Sequence, residues 1–191
     1  MDGGPGSPLT AGIEQEIVDL YEREAGGVLR YAGALAHDPE TAHDALQEAF
    51  FRFFLCRSAG QQIQYPKGWL FRVARNYVLD QKKAGSRNEV GVESLRNVPS
   101  PAYHPEGGGP VADLLQGLLE IGLSPREIEC IRLRTEDLRY EEIAGVLGLR
   151  TGTVGALLAR AHEKIRKAVG DGGRKKHGFV PALAREKGYA S

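Results

Sequence analysis

The chain has 191 residues, and its 25 Lys plus Arg balance 25 Asp plus Glu, so the formal net charge is zero. That length holds one ordinary domain or two small ones, and the missing basic excess, taken at face value, argues against a nucleic-acid binder. Two cysteines, Cys56 and Cys130, are too few for a disulfide scaffold or a four-ligand zinc site. The 25 glycines follow no three-residue period, which excludes collagen and points to loops or tails beside packed segments. Residues 1–8 have neither the basic start nor the apolar core of a signal peptide. No apolar run approaches the roughly 18–20 residues of a membrane span. The expectation is a cytoplasmic, reduced protein with no cofactor and no membrane partner.

Neutrality hides segregation. Residues 1–50 carry a charge of −8, residues 51–110 carry +5, residues 111–149 carry −4 and residues 150–191 carry +7. Between Ala84 and Pro110 lie five Gly and four Pro, a composition that buries too little apolar surface to offset its ordering entropy. On either side the apolar residues recur with a helical period and no period-2 strand stands out. The fold class expected is all-α: two small helical domains, residues 13–83 and 111–169, joined by a flexible linker at 84–110. Residues 1–12 and 170–191 read as Gly-rich tails, the second one basic.

In the first domain, Asp38-Pro39 is a helix start, with Asp as N-cap and Pro in the first turn. Ala42, Ala45, Leu46, Ala49, Phe50 and Phe53 then recur at steps of three and four, a core stripe. The other side carries Asp44, Gln47, Glu48, Phe51, Arg52 and Leu55. Apolar anchors inside a polar rim suit a partner-binding surface; packing of Phe51 and Leu55 on another helix of the same domain is the alternative.

The segment 69–83 reads in the same way. Leu70, Val73, Ala74, Tyr77 and Val78 make its buried stripe, while Arg72, Arg75, Asn76, Leu79, Lys82 and Lys83 share the opposite face. Such a row on one rigid helix neutralises phosphates and offers hydrogen bonds to base edges; a merely solvated basic face is the bland reading. Tyr65, Trp69 and Phe71 are nearby candidates for stacking on unpaired bases, although aromatics at helical spacing more often belong to a core.

In the second domain, Ser124, Pro125 and Glu127 spell a capping box. Downstream, Ala144, Gly148 and Val154 have the helix-turn-helix spacing: a small residue where helices cross, a glycine for the turn, and a branched apolar residue. In that motif the second helix enters the major groove with its N-terminal residues at the bases. The candidates here are Arg150, Thr151 and Thr153, with Arg160 and Lys164 further along for phosphates and Thr151 as the expected cap.

These segments together resemble the extracytoplasmic-function (ECF, group IV) sigma factors of the sigma-70 family. The resemblance rests on residues 44–52 (DALQEAFFR), on 69–76 (WLFRVARN) with Asp80, and on Leu123-Ser-Pro-Arg-Glu127 followed by Tyr140-Glu-Glu-Ile-Ala144 and Gly152-Thr-Val154. It implies a non-enzymatic subunit that binds core RNA polymerase and directs promoter-specific transcription. Asp44, Gln47, Glu48, Phe51 and Arg52 would meet the β′ clamp helices. Arg72, Arg75, Asn76, Lys82 and Lys83 would read and melt the −10 element, and the helix-turn-helix would read the −35 element and touch the β flap. An anti-sigma factor is a further candidate partner.

One departure stands out. Family members commonly continue Gly-Thr-Val with Lys-Ser-Arg, where this chain has Gly155-Ala156-Leu157. The −35 reading is then expected to shift toward Arg150, Thr151 and Arg160, or to become mainly non-specific, with Leu157 turned outward toward a protein. A LuxR-type regulator working without polymerase and a sigma-like decoy are the alternative functions. Enzymatic readings fail on spacing: His162-Glu163 is followed by no histidine at the metal-binding interval, and Gly107-Gly108-Gly109 lacks the Lys-Ser/Thr of a phosphate loop.

Overall fold

A computed structural model describes residues 8–89 and 117–172. Every element among the described residues is a helix: α1 Pro8–Ala36, α2 Pro39–Ser58, α3 Pro66–Glu89, α4 Pro125–Thr135, α5 Tyr140–Leu147 and α6 Thr151–Gly172. The all-α expectation holds. Most of the linker expected at 84–110 and of the tail expected at 170–191 lies outside the described residues. Helix α1 starts at Pro8, inside the stretch read as a tail, because proline fits the first turn of a helix. Helix α3 runs through Gly85 to Glu89, past the expected stop at Lys83.

By its contacts the chain divides into two compact units, Met1–Asn97 with Arg132–Val154, and Val98–Ile131 with Gly155–Ser191. In the first, α1, α2 and α3 pack on one another and α5 packs on α3. The whole predicted stripe of α2 is buried, and Leu70, Phe71, Ala74 and Val78 of α3 are fully enclosed. Aromatic pairs tie the helices: Tyr21 meets Phe50 at 5.0 Å between centroids, Tyr31 meets Phe71 at 5.4 Å, and Phe53 meets Trp69 edge-on at 5.8 Å. At the periphery Glu16 clasps Arg57 (2.9 Å) and Glu24 pairs with Lys67 (3.0 Å).

Local chemistry sets where helices start and stop. Asp38, extended at φ −141°, accepts the Thr41 N–H at 2.8 Å and so caps α2. At the end of α4, Asp137 N–H reaches Arg134 O and Leu138 N–H reaches Leu133 O, a Schellman pair that holds Asp137 at φ 59°. Gly148 closes α5 at φ 65°, and Leu149 N–H bonds Ala144 O at 2.9 Å. An alanine there would carry its Cβ into the left-handed region, at a cost of about 1–2 kcal/mol. Gly148→Ala should therefore lower the unfolding free energy by that amount in urea titrations with an unchanged slope; an unaltered midpoint would contradict the role given to this turn.

Candidate nucleic-acid interface

Helix α2 turns its second face outward. Phe51 is 58% exposed and Leu55 48%, so neither packs into another helix of its unit. Around them Asp44, Gln47 and Arg52 are exposed and Glu48 is half-buried. Glu48 accepts from Arg52 Nε at 2.6 Å, one turn away, which holds both charges at the rim of the apolar anchors.

Helix α3 presents the basic face. Arg72, Asn76 and Lys83 are exposed, while Arg75 and Lys82 are half-buried. Lys83 leans to within 3.6 Å of Asp80 on its own helix. Burial, and then the charge of Arg132, push the Lys82 ammonium below its ordinary value. The three nearby aromatics separate cleanly. Phe71 is completely buried and Trp69 is half-buried against Phe53, whereas Tyr65 keeps 42% of its surface exposed. Only Tyr65, and part of Trp69, offer a face to a base. A cleft of about 300 Å³ opens here, lined by Tyr65, Gly68, Trp69, Arg72, Glu141 and Glu142 among others.

The turn before α6 keeps the helix-turn-helix geometry, with Ala144 and Val154 buried on either side of Gly148. Arg150, Thr151 and Thr153 are exposed at the entry to α6. The expected cap is corrected here. Arg150 itself stands at the cap position, its carbonyl accepting Thr153 N–H at 2.9 Å and Val154 N–H at 3.2 Å, and Thr151 is already helical.

In the second unit the decisive group is Glu127, only 3% exposed. It accepts the Ser124 N–H at 2.7 Å and its own N–H bonds Ser124 Oγ at 3.3 Å, the capping box read from sequence. It also accepts from Lys164 Nζ at 2.7 Å, which in turn donates to Gly122 O at 2.8 Å. Arg160 Nε lies 3.9 Å from the same carboxylate. Lys164 is thus committed to holding the unit together, and Arg160, 64% exposed, leans on it. Leu157 corrects another expectation. It is 8% exposed and faces the core, because it follows Val154 by three residues and joins Leu158 and Ala161 on one stripe. Leu157 is therefore not an outward anchor for a protein partner.

Burial works to raise the Glu127 pKa, but the Lys164 ammonium and the two Ser124 groups outweigh it and hold the carboxyl below its ordinary value. The folded state therefore favours the ionised form. That stabilisation is complete above the usual carboxylate range and is lost as pH falls through the depressed folded value. Glu127→Gln should lower stability at neutral pH by about 1–3 kcal/mol and flatten the acid limb of stability against pH. Chemical denaturation across pH 2–7 checks this, and equal acid limbs in both proteins would contradict it.

Comparison with known proteins agrees with this geometry. The family model described as Sigma-70 region 2 matches residues 20–88 and that described as Sigma-70, region 4 matches residues 121–165. The RNA polymerase sigma-E factor of Streptomyces coelicolor is 30% identical over 156 residues, covering 80% of this chain and 85% of that protein. The ECF RNA polymerase sigma factor SigM of Bacillus subtilis is 27% identical, covering 78% and 93%. SigE of Mycolicibacterium smegmatis is 30% identical over 154 residues, of which this chain spans 59% of the length. The sigma factor RpoE of Bartonella quintana, solved with the anti-sigma factor NepR, superposes with a TM-score of 0.56 at 21% identity, covering 82% of this chain and 96% of that one, a likeness of fold. With both sigma-70 regions in order and relatives spanning most of its length, the chain belongs to the ECF sigma factors of the sigma-70 family.

Proposed function

We propose that this ECF sigma factor meets core RNA polymerase through the outer face of α2 and promoter DNA through α3 and the start of α6. As a sigma factor it binds core polymerase and directs promoter-specific transcription initiation; the chemistry belongs to the polymerase, and the subunit acts where polymerase is, in the cytoplasm. The observation that carries the division of labour is the exposure of Phe51 and Leu55 among charges on α2, set against a separate cationic face on α3. Apolar anchors in a polar rim fit protein. Exposed Arg72, Asn76 and Lys83, with Arg75 and Lys82 beside them, fit phosphates and base edges, and Tyr65 supplies a stacking surface for an unpaired base.

For the −35 element the proposed readers are Arg150, Thr151 and Thr153, with Arg160 reaching a phosphate. Lys164 supports them through Glu127 rather than by contact. The β′ clamp helices, the β flap and an anti-sigma factor are proposed partners on the family resemblance.

The test is reconstitution with core polymerase, followed by mapping of transcript starts on fragmented genomic DNA. Defined starts sharing a common upstream sequence support the reading; no stable complex and no defined start would overturn it. On a promoter so found, Asn76→Ala and Arg75→Ala should reduce open-complex formation at least tenfold while leaving polymerase affinity within about threefold. Phe51→Ala should do the reverse, by about 1–3 kcal/mol of binding, the range of a moderate interface anchor. Equal melting in the α3 variants would reject the assignment of that face.

A further inference from the structure

The two carboxylate oxygens of Glu127 face different partners. Oε2 accepts the Ser124 N–H and Lys164 Nζ, both at 2.7 Å, while Oε1 faces Arg160 Nε at 3.9 Å. Burial works against the charge, yet Lys164 and the two Ser124 groups outweigh it and keep the carboxyl ionised at neutral pH. Arg160 therefore stands beside a fixed anion. An ordinary exposed ion pair gains little, because two mobile side chains must be ordered together. Here the acid is already held in the interior, and only the arginine has to settle.

The surroundings on α6 favour this pairing. Glu163 lies three residues beyond Arg160, a spacing at which side chains meet. It is engaged elsewhere, accepting from Arg166 Nη2 and pairing with Lys167 Nζ at 3.4 Å. Toward the start of the helix, the exposed positions between Thr153 and Arg160 are Ala156 and Ala159, which carry no donor. The cationic contact that this stretch can offer is Arg160 itself. Because Nε is the atom turned to the carboxylate, the two Nη groups are left for another partner, and 64% of the side chain is open to solvent. A guanidinium held at one edge and open at the other can take a phosphate with both prongs.

We propose that Glu127 is a positioning residue for −35 recognition: it holds Arg160 by the Nε edge, so that the Nη pair meets one promoter phosphate in a fixed direction and sets the register of α6 on the duplex. This rests on the reading of α6 as the −35 helix. A phosphate contact carries no sequence of its own, but it fixes where the base readers fall. A loose arginine keeps its charge and binds phosphates wherever it finds them, whereas an aimed one favours a single register. The cost of ordering the side chain is met before DNA arrives.

The test uses holoenzyme reconstituted from core polymerase and the full chain. Binding is read across a salt series on a promoter fragment and on the same fragment with its −35 element scrambled. Glu127→Gln should lower the preference for the intact element about fivefold, roughly the cost of ordering one such side chain on binding. Its slope of affinity against salt should be no smaller, since no cation has been removed. Arg160→Ala should lower the preference by a similar factor and reduce the slope by about one. The double variant should lose no more than Arg160→Ala alone. Ser124→Ala separates positioning from folding: it weakens the same capping box and lowers the melting temperature, yet leaves Glu127 Oε1 to Arg160, so it should keep the parent's preference. Equal losses in Ser124→Ala and Glu127→Gln, at a temperature where circular dichroism shows both folded, would make Glu127 merely structural and overturn the proposal. An unchanged preference in Glu127→Gln beside a reduced one in Arg160→Ala would overturn it too, as would additive losses in the double variant. Unchanged preference and slope in Arg160→Ala would remove Arg160 from the interface and the proposal with it. No preference for the intact element in the parent would instead reject the −35 reading of α6.

Discussion

The structure depends first on the aromatic and aliphatic seam that locks α2 and α3 together. Phe53 and Phe71 are completely buried, Trp69 closes edge-on over Phe53, and Tyr31 reaches Phe71 from α1. A close-packed seam of this kind fixes helix rotation as well as position. Once the inward faces of α2 and α3 are set, every residue on the outward faces is set too. Phe51 and Leu55 must then stand in solvent, Arg72 must line the cleft with Tyr65, and Asn76 must project further along α3. The outward faces of α2 and α3 are thus by-products of core packing.

The second unit solves a different problem with a different device. It is small, and it keeps a carboxylate, Glu127, at 3% exposure. An unpaired charge so placed is very costly. Here Ser124 and Lys164 satisfy it, and in doing so join the capping box before α4 to the middle of α6. One ion thereby caps one helix and anchors another. Lys164 is engaged in this way, while Arg150, Thr151 and Thr153, the proposed readers of bases, stand exposed at the entry to α6.

Much of this was legible in the sequence, and the parts that were not share a cause. The α2 stripe, the Asp38 cap, the Ser124–Glu127 box and the Gly148 turn are local: a few neighbouring residues carry the whole signal, and each stands where the pattern put it. The start of α1 at Pro8 was hidden by glycine and proline, whose composition outweighed a first turn that accepts them. Leu157 faces the core because its three-residue step after Val154 decides its orientation, whatever residues the family carries there. Lys164 with Glu127, and α5 on α3, join residues far apart in the chain, where no periodicity speaks. The packing of α5 on α3 leaves one trace, Gly68 inside α3, where a Cβ would come within 2.9 Å of the Glu142 Cβ. The zero net charge conceals four alternating blocks of −8, +5, −4 and +7 along the chain.

Site-specific photocrosslinking in the assembled initiation complex tests the central claim most directly. With benzoylphenylalanine replacing Phe51 in one preparation and Asn76 in another, the account predicts that position 51 crosslinks to polymerase protein and position 76 to promoter DNA near the start site. Crosslinks from position 76 to polymerase alone, or from position 51 to DNA, would contradict it.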